Sequence, residues 1–266
     1  MSAEALNDSL VYERIGDDPD ANPSRFRFRL KDDLGVADSD GLRRNELRLK
    51  VNNLRKLMLS RLDGVAVRAF SVSIDVGGKV DTAPHKYYAL DNLREDMPSL
   101  IRNLRRITLN GARDLQDGDL VLEREIVLDE GLRDEKGNPI MERKISCADF
   151  NDALQSKMPS ATFVNDEYIA TLVRERGDQE VRLTLRLLLD ERTGFVEAGK
   201  NREDADPLTV IPIDSQHSPV IRCAMHEDDA AENVIVEIET NGAISPDEAV
   251  KEALARLQYQ HVFLEG

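Results

Sequence analysis

The chain has 266 residues, enough for one large domain or two modest ones, and its 36 basic and 51 acidic residues give a formal net charge of −15. This negative charge disfavours general attraction to phosphate backbones and to anionic lipid surfaces. No apolar run approaches the roughly 20 residues that span a bilayer, and the first residues do not form a secretory signal. The two cysteines, Cys147 and Cys223, are far apart and indicate reduced thiols. We therefore expect an intracellular protein without a membrane segment.

The first predicted strands follow a polar leader. Residues 1–24 are rich in Asp, with one short strand predicted around residues 10–12. Residues 25–30 then alternate charged and apolar side chains. A period of two predicts that Phe26, Phe28 and Leu30 share one face of a half-buried strand.

The next segment changes to a helical period. Apolar residues recur at spacings of three and four, which predicts an amphipathic helix ended by Gly64. These residues are Leu47, Val51, Leu54, Met58 and Leu62. The other faces are basic, which fits either a solvated surface or contact with an acidic partner. With no tryptophan, 5% aromatic residues and a charge of −15, a protein partner fits better than nucleic acid.

The middle of the chain is predicted to be mostly β-structure. We predict a second helix over residues 91–106, with Pro98 in its first turn, where its missing N–H costs little. Residues 129–158 are charged and rich in turn residues, so we expect a surface excursion and assign no elements there. Strands are predicted at residues 66–75, 119–128, 168–174, 181–189, 208–213 and 233–239.

The last predicted helix has a clear start. Ser245 can cap it, Pro246 fits its first position, and Glu248 completes a capping box. An apolar stripe follows at Val250, Leu254 and Leu257. The predicted fold class is therefore α+β, with antiparallel strands, two long helices and one shorter helix.

Catalytic motifs are missing from the sequence. It has no phosphate-binding glycine loop, no dinucleotide fingerprint and no zinc-protease motif, and its four histidines are scattered. The run from His226 through Asp229 is more typical of a solvated loop than of a metal site. Ser215, His217 and Asp214 supply the residue types of a triad, but adjacency in sequence is not triad geometry. We predict no catalytic residue, no metal and no cofactor.

Several segments resemble the amino-terminal part of bacterial RNA polymerase alpha subunits, in matching order and spacing. The most specific is VEIETNGAISPDEA, because a strand, a tight turn at Asn241 and Gly242, and a capped helix must all agree. The resemblance covers about residues 25–264. The other matching segments are NLRKLMLSRLDGVAV at residues 53–67, LRED at 93–96 with NLR at 103–105, GFVEA at 194–198, and IPID at 211–214 with SPV at 218–220.

The resemblance implies a two-lobed fold. Residues 1–64 and 190–266 would form a discontinuous dimerisation lobe, with two long helices on an antiparallel sheet. Residues 65–189 would form an inserted, mostly-β lobe that contacts the large polymerase subunits. The helices of two copies would pack together through apolar residues on each: Leu47, Val51, Leu54, Met58, Val250, Leu254 and Leu257.

The resemblance also implies a function and partners. Arg55 and Lys56 match the family's basic pair, and with Ser60 they would contact the beta subunit. The chain would be a non-catalytic scaffold of DNA-directed RNA polymerase, a nucleotidyltransferase complex. It would dimerise and recruit the beta and beta-prime subunits in the cytoplasm, associated with the nucleoid through the polymerase, or in a plastid stroma. Asn241, Gly242, Ser245, Pro246 and Glu248 would serve as structural turn and cap.

The chain departs from the family pattern at several places. Asp63 and Glu197 stand where members usually have proline, and the chain ends where typical members continue into a DNA-binding carboxy-terminal domain. We therefore expect no sequence-specific DNA binding. Two alternatives stay open: an alpha-like paralogue that pairs with or regulates a standard polymerase, and an unrelated enzyme whose turnover depends on His226 or Asp228.

Overall fold

The computed structural model describes residues 11–15, 25–31, 40–113, 115, 119–129, 131–133, 135–175, 180–228 and 233–264. The chain folds as two compact units. Unit 1 comprises Met1–Gly64 and Ser218–Gly266, and unit 2 comprises Val65–His217. The second boundary was predicted near residue 190. The boundary lies later because the residues after 193 return to the sheet of unit 2, where Ile211 pairs with Phe70.

Fifteen strands and four α-helices occur in the described part of the chain. The helices are α1 (Asp40–Ser60), α2 (Met97–Leu104), α3 (Asn151–Lys157) and α4 (Pro246–Leu264). The strands are β1 (Val11–Ile15), β2 (Arg25–Lys31), β3 (Asp63–Val76), β4 (Lys79–Thr82), β5 (Leu109–Asn110), β6 (Leu120–Asp129), β7 (Glu142–Ser146), β8 (Thr162–Phe163), β9 (Tyr168–Val173), β10 (Glu180–Thr193), β11 (Phe195–Val196), β12 (Ile211–Pro212), β13 (Ser215–Gln216), β14 (Val220–Asp228) and β15 (Asn233–Thr240). The mixture of helices and antiparallel sheets confirms the predicted α+β class.

Unit 1 contains a four-stranded antiparallel sheet in the order β1-β2-β15-β14. Helix α1 packs on β14, β15 and α4, and α4 packs on β15. The stripe predicted at Leu47, Val51, Leu54 and Met58 is fully buried in this core. Each such side chain contributes about 1.5–3 kcal/mol relative to an exposed one, so the stripe holds α1 on the sheet. The predicted burial of Phe26, Phe28 and Leu30 concerns side chains outside the described set.

Unit 2 has a main sheet of five strands, in the order β12-β3-β10-β6 with β4 paired to β3. Three two-stranded sheets accompany it, formed by β11 with β13, β5 with β8, and β7 with β9. Strand β10 shows why the sequence folds this way. Val181, Leu183, Leu185 and Leu187 are buried while the residues between them are partly exposed. This period of two places alternate side chains in the core of the unit.

The predicted second helix over residues 91–106 is wrong in its first turns. Helix α2 begins only at Met97, after Asp96, whose side chain accepts a hydrogen bond from the Ser99 N–H. The residues before it form a β-bridge instead, because Leu93 pairs with Leu172. Pro98 does lie in the first turn. The helical spacing of apolar residues extends to positions before Asp96. The backbone hydrogen bonds of those positions are made with β9, so they do not join the helix.

Other differences concern the lengths and number of elements. Helix α1 ends at Ser60 rather than at Gly64, and the predicted strand over residues 208–213 is reduced to β12. Strand β14 was not predicted, because its sequence VIRCAMHED has no strict alternation. The excursion over residues 129–158 contains β7 and α3. Among the described residues, no helix combines the length and the apolar character needed to cross a membrane.

Candidate functional site

The basic face of α1 lies beside strand β14. The Arg55 Nε donates a hydrogen bond of 2.9 Å to the carbonyl oxygen of Cys223, which fixes the arginine stem on the strand. Lys56 is exposed, and the Ser60 hydroxyl donates to the Lys56 carbonyl at 2.7 Å within the helix. The three residues predicted to contact the beta subunit therefore occur on one accessible stretch of α1.

An open depression of about 600 Å³ occurs next to this stretch. Two arginines, Arg55 and Arg222, stand beside apolar side chains in its wall. Within the part of the chain that the structure describes, neither arginine forms an ion pair, and neither does Lys56. The lining comprises Asn52, Arg55, Leu59, Ile221, Arg222, Cys223, Ala224 and Met225. Its residue types suit a ligand that carries both negative charge and apolar surface.

The burial of Cys223 makes its thiol a poor nucleophile in this depression. Desolvation raises the pKa of the Cys223 thiol to about 11, against a smaller opposing effect of the Arg55 charge. At neutral pH the sulfur is therefore protonated and weakly nucleophilic. The depression is suited to binding rather than to covalent chemistry.

Most residues predicted for the dimer interface lie within the core of unit 1. Leu47, Val51, Leu54, Met58 and Val250 are all buried by their own chain. Their apolar stripe is explained by packing of α1 and α4 on the sheet. A role for them in an interface would require the helices of two copies to exchange core contacts.

Two predicted interface residues remain accessible. Leu254 and Leu257 on α4 are partly buried and pack at the edge of the core. Arg256, between them, forms an ion pair with Asp63. This edge of α4 is the described part of the predicted interface that a partner could contact without unfolding the unit.

The predicted turn and cap residues make local hydrogen bonds before α4. The Ala243 N–H donates to the Asn241 side chain at 3.0 Å, and Gly242 has a φ of 87°, which favours glycine. The Glu248 N–H donates to the Ser245 hydroxyl at 3.2 Å, while the Ser245 N–H donates to the Glu248 carboxylate at 2.8 Å. These reciprocal bonds form a capping box, and Pro246 opens the helix.

A Ser–His–Asp cluster occurs in unit 2, with a different acid from the one considered in the sequence. The His217 Nε2 lies 2.8 Å from an Asp190 oxygen, and its Nδ1 lies 3.5 Å from the Ser215 hydroxyl. Asp214 instead accepts from a backbone N–H. His217 and Ser215 are both buried, and the Ser215 oxygen already accepts a hydrogen bond from Asn201 at 2.8 Å. A substrate has no access to this serine, so the cluster is a structural network.

Unit 2 also contains a buried arginine between two carboxylates. The Arg68 guanidinium donates to Asp119 through Nε at 2.6 Å and through Nη2, and to Asp206 at 2.8 and 3.0 Å. Oxygens of Asp119, Glu203 and Asp206 lie within 4.8 Å of one another, a spacing that could hold a cation. Arg68 supplies that positive charge. Its hydrogen bonds hold the pKa of Asp206 below its ordinary value.

Sequence patterns did not predict roles for Ile221, Arg222 or the Arg68 cluster. Residues 220–228 gave no alternation, and the partners of Arg68 are 51 and 138 positions away. The sequence did contain one signal for this site. Ile221 is a large apolar residue directly before an arginine in an otherwise acidic chain. His226, considered as a metal or catalytic residue, is exposed near the end of β14, and the side chain of Asp228 lies outside the described set.

Comparisons with known proteins agree on one family. The family model described as RNA polymerase Rpb3/Rpb11 dimerisation domain matches residues 50–260. The chain is 29% identical to the DNA-directed RNA polymerase subunit alpha of Rubrobacter xylanophilus, over 93% of this chain and 71% of that protein. It is 27% identical to the alpha subunit of Alkaliphilus oremlandii, over 80% and 59%. For Chlorobaculum tepidum the identity is 25%, over 75% and 53%. The chain thus spans between about half and three quarters of these relatives.

Proposed function

We propose that this chain, which belongs to the RNA polymerase Rpb3/Rpb11 dimerisation domain family as an alpha-type member, is an assembly scaffold of a multisubunit DNA-directed RNA polymerase. In this proposal it dimerises, recruits the beta and beta-prime subunits, and performs no chemistry itself. The family match over residues 50–260 carries the proposal, because it begins within α1, ends within α4 and includes all of unit 2.

The proposed dimer uses the accessible edge of α4. Leu254 and Leu257 would meet their counterparts across a two-fold axis, since identical copies associate most simply through self-complementary surfaces. An aspartate at such a contact would be an unpaired charge in an apolar interface and would cost several kcal/mol. We therefore expect Leu254→Asp to separate the dimer.

Light scattering after size-exclusion chromatography tests this interface. Ala255→Asp is the matched control, since Ala255 is the next residue of α4 and is exposed. The interface assignment requires a monomeric Leu254→Asp variant and a dimeric Ala255→Asp variant. A Leu254→Asp variant that stays dimeric would show that α4 does not form the contact.

The proposed contact with the beta subunit uses Arg55, Lys56 and Ser60. Lys56 gives the cleaner test, because its ammonium group is exposed and has no ion-pair partner in the described structure, whereas Arg55 also holds the β14 backbone. Lys56→Ala should preserve the dimer and weaken capture of beta. Arg55→Ala combined with Lys56→Ala should weaken capture further.

Affinity purification of the tagged chain with its natural large subunits tests the whole proposal. Co-purification of both beta and beta-prime is the expected result. Recovery of an ordinary alpha subunit alongside this chain would favour the paralogue that forms heterodimers. Recovery of neither large subunit from a folded, dimeric chain would refute the scaffold function.

The non-catalytic part of the proposal is supported by the buried Ser215–His217–Asp190 cluster. Its serine is inaccessible and its hydrogen bonds are made within unit 2. We expect the isolated chain to show no nucleotidyl transfer, and a Ser215→Ala variant to leave polymerase activity of the assembled complex unchanged. Loss of activity without loss of assembly would contradict this assignment.

A further inference from the structure

Strand β14 carries a β-bulge at Ile221. Val220 pairs with Thr240 and Arg222 pairs with the adjacent Glu239, so Ile221 has no partner on β15. Bulges of this kind redirect a side chain and increase the local twist of the strand. Ile221 is 62% exposed and Arg222 beside it is also exposed. The bulge therefore presents a large apolar side chain next to a cation.

The bulge faces the open depression between α1 and β14. Leu59 and Met225 contribute further apolar surface to its wall, and Arg55 contributes a second guanidinium. The Nε of Arg55 is engaged by the β14 backbone, so the group is held in place with its two terminal nitrogens available. The site is thus ordered on one side by the sheet and carries positive charge that nothing in the described structure neutralises.

Charge indicates what kind of occupant fits. The whole chain carries a net charge of −15, so a local group of unpaired arginines stands out against the surrounding field. Arginine forms forked hydrogen bonds with carboxylates and is enriched at protein interfaces. The lining has no aromatic side chain on which a base could stack, which disfavours single-stranded nucleic acid. An exposed isoleucine is also better suited to an apolar side chain than to a phosphate.

We propose that this depression is a docking site for an acidic segment of a large polymerase subunit. In this arrangement an apolar side chain of the segment packs on Ile221, Leu59 and Met225. Carboxylates before and after that side chain bind Arg55 and Arg222. The inference rests on the proposed scaffold function and deepens it, since it assigns the chemistry of the partner and adds residues of β14 to the contact.

The first test measures binding of the purified dimer to the purified large subunits by biolayer interferometry. Ile221→Asp should weaken binding at least about tenfold, as expected for a buried anchor of an interface. Arg222→Glu should weaken it and reduce its dependence on salt, because screened charge pairs would be lost. Leu208→Asp is the matched control, since Leu208 is 85% exposed but lies in unit 2.

Circular dichroism melting shows whether each variant folds before its binding is compared. Both β14 positions are exposed, so we expect unchanged melting midpoints. If the wild type binds the large subunits and the Ile221→Asp and Arg222→Glu variants bind them equally well, the docking site is refuted. The scaffold function would still stand in that case. Absence of wild-type binding would refute the scaffold function itself and the docking site with it.

Photo-crosslinking identifies the occupant. Ile221→p-benzoylphenylalanine in the assembled complex should crosslink to a large-subunit peptide that has carboxylates next to an apolar residue. A crosslink to a second copy of this chain, to nucleic acid, or to a basic peptide would overturn the proposed chemistry. The same outcome would follow if the complex assembled and position 221 gave no crosslink to a large subunit.

Discussion

Replacement of Arg68 by methionine is the perturbation for which the structure gives the clearest magnitude. Arg68 is 1% exposed and hydrogen-bonds to both Asp119 and Asp206, as well as to the Asn201 carbonyl at 2.8 Å. Methionine fills much of the same volume but leaves two carboxylates close together without the guanidinium that hydrogen-bonds to both. Breaking a buried ion pair by removing one partner costs about 3–5 kcal/mol. We expect the free energy of unfolding at pH 7 to fall by an amount in this range.

The pH dependence of this effect provides a second readout. Hydrogen bonding to Arg68 lowers the pKa of Asp206, so this carboxylate stabilises the wild type above its unfolded pKa and the contribution is lost as pH falls. In Arg68→Met the buried carboxylates lose their cation and favour the protonated form. The variant should therefore gain stability relative to wild type on acidification. The difference between the two should be largest at pH 7 and smaller at pH 4.

Urea unfolding followed by circular dichroism measures both effects. Arg182→Met is the control, because Arg182 pairs with Glu180 and Glu125 at an exposed position of the same unit and should matter far less. Adding Asp206→Asn to Arg68→Met should restore part of the loss by removing one uncompensated charge. A loss below about 1 kcal/mol at pH 7, or one that grows on acidification, would refute the assignment of Arg68 as the neutralising charge of this cluster.

Three further predictions follow from local geometry. Gly111→Ala should lower the melting temperature of the chain, because Gly111 has a φ of 73° and an added Cβ would lie 2.4 Å from the Ser160 backbone oxygen. Gly199→Ala is the control, since its Cβ would meet no atom within 4 Å. Equal melting temperatures for the two variants would contradict the clash. Ser245→Ala should cost about 1 kcal/mol in urea unfolding by removing the cap of α4, and a neutral result would show that the cap is dispensable. Burial raises the pKa of Cys147 to about 12 and of Cys223 to about 11, so both thiols should react with Ellman's reagent at pH 8 only after unfolding; rapid reaction of the native chain would exclude this burial.

Local patterns in the sequence were sufficient to predict much of unit 1. The spacing from Leu47 to Met58 placed α1 on its buried face, and the residues from Ser245 to Glu248 marked the start of α4. These signals work because the hydrogen bonds and the apolar face of each helix lie within a few turns of the chain. The same signals could not say whether the stripe is covered by the chain itself or by a second copy. The structure shows it covered by the sheet of unit 1.

Elements that depend on distant partners were not predictable from pattern. Helix α2 is shorter than its apolar spacing indicated because Leu93 pairs with Leu172, far along the chain. Strand β14 was not predicted because the bulge at Ile221 interrupts the alternation of apolar and polar residues that identifies a strand. The Arg68 cluster joins residues from three separated segments. For α2 and for the Arg68 cluster the decisive contact is between residues that the sequence places far apart, whereas β14 was missed because of its own local irregularity.

Arg55 and Arg222 of unit 1 differ from the buried Arg68 of unit 2 in their local partners, and this difference supports a binding role for the surface that they share. In unit 2, Arg68 and Arg182 are neutralised by carboxylates of the same unit. In unit 1, Arg55 and Arg222 have no carboxylate partner among the described residues, although the chain has 15 more acidic than basic residues. An exposed arginine without a local carboxylate partner can form forked hydrogen bonds with a carboxylate that a binding partner supplies. Because the exposed Ile221 lines the same depression as both arginines, the matching carboxylate is best supplied by a protein segment that also buries apolar surface.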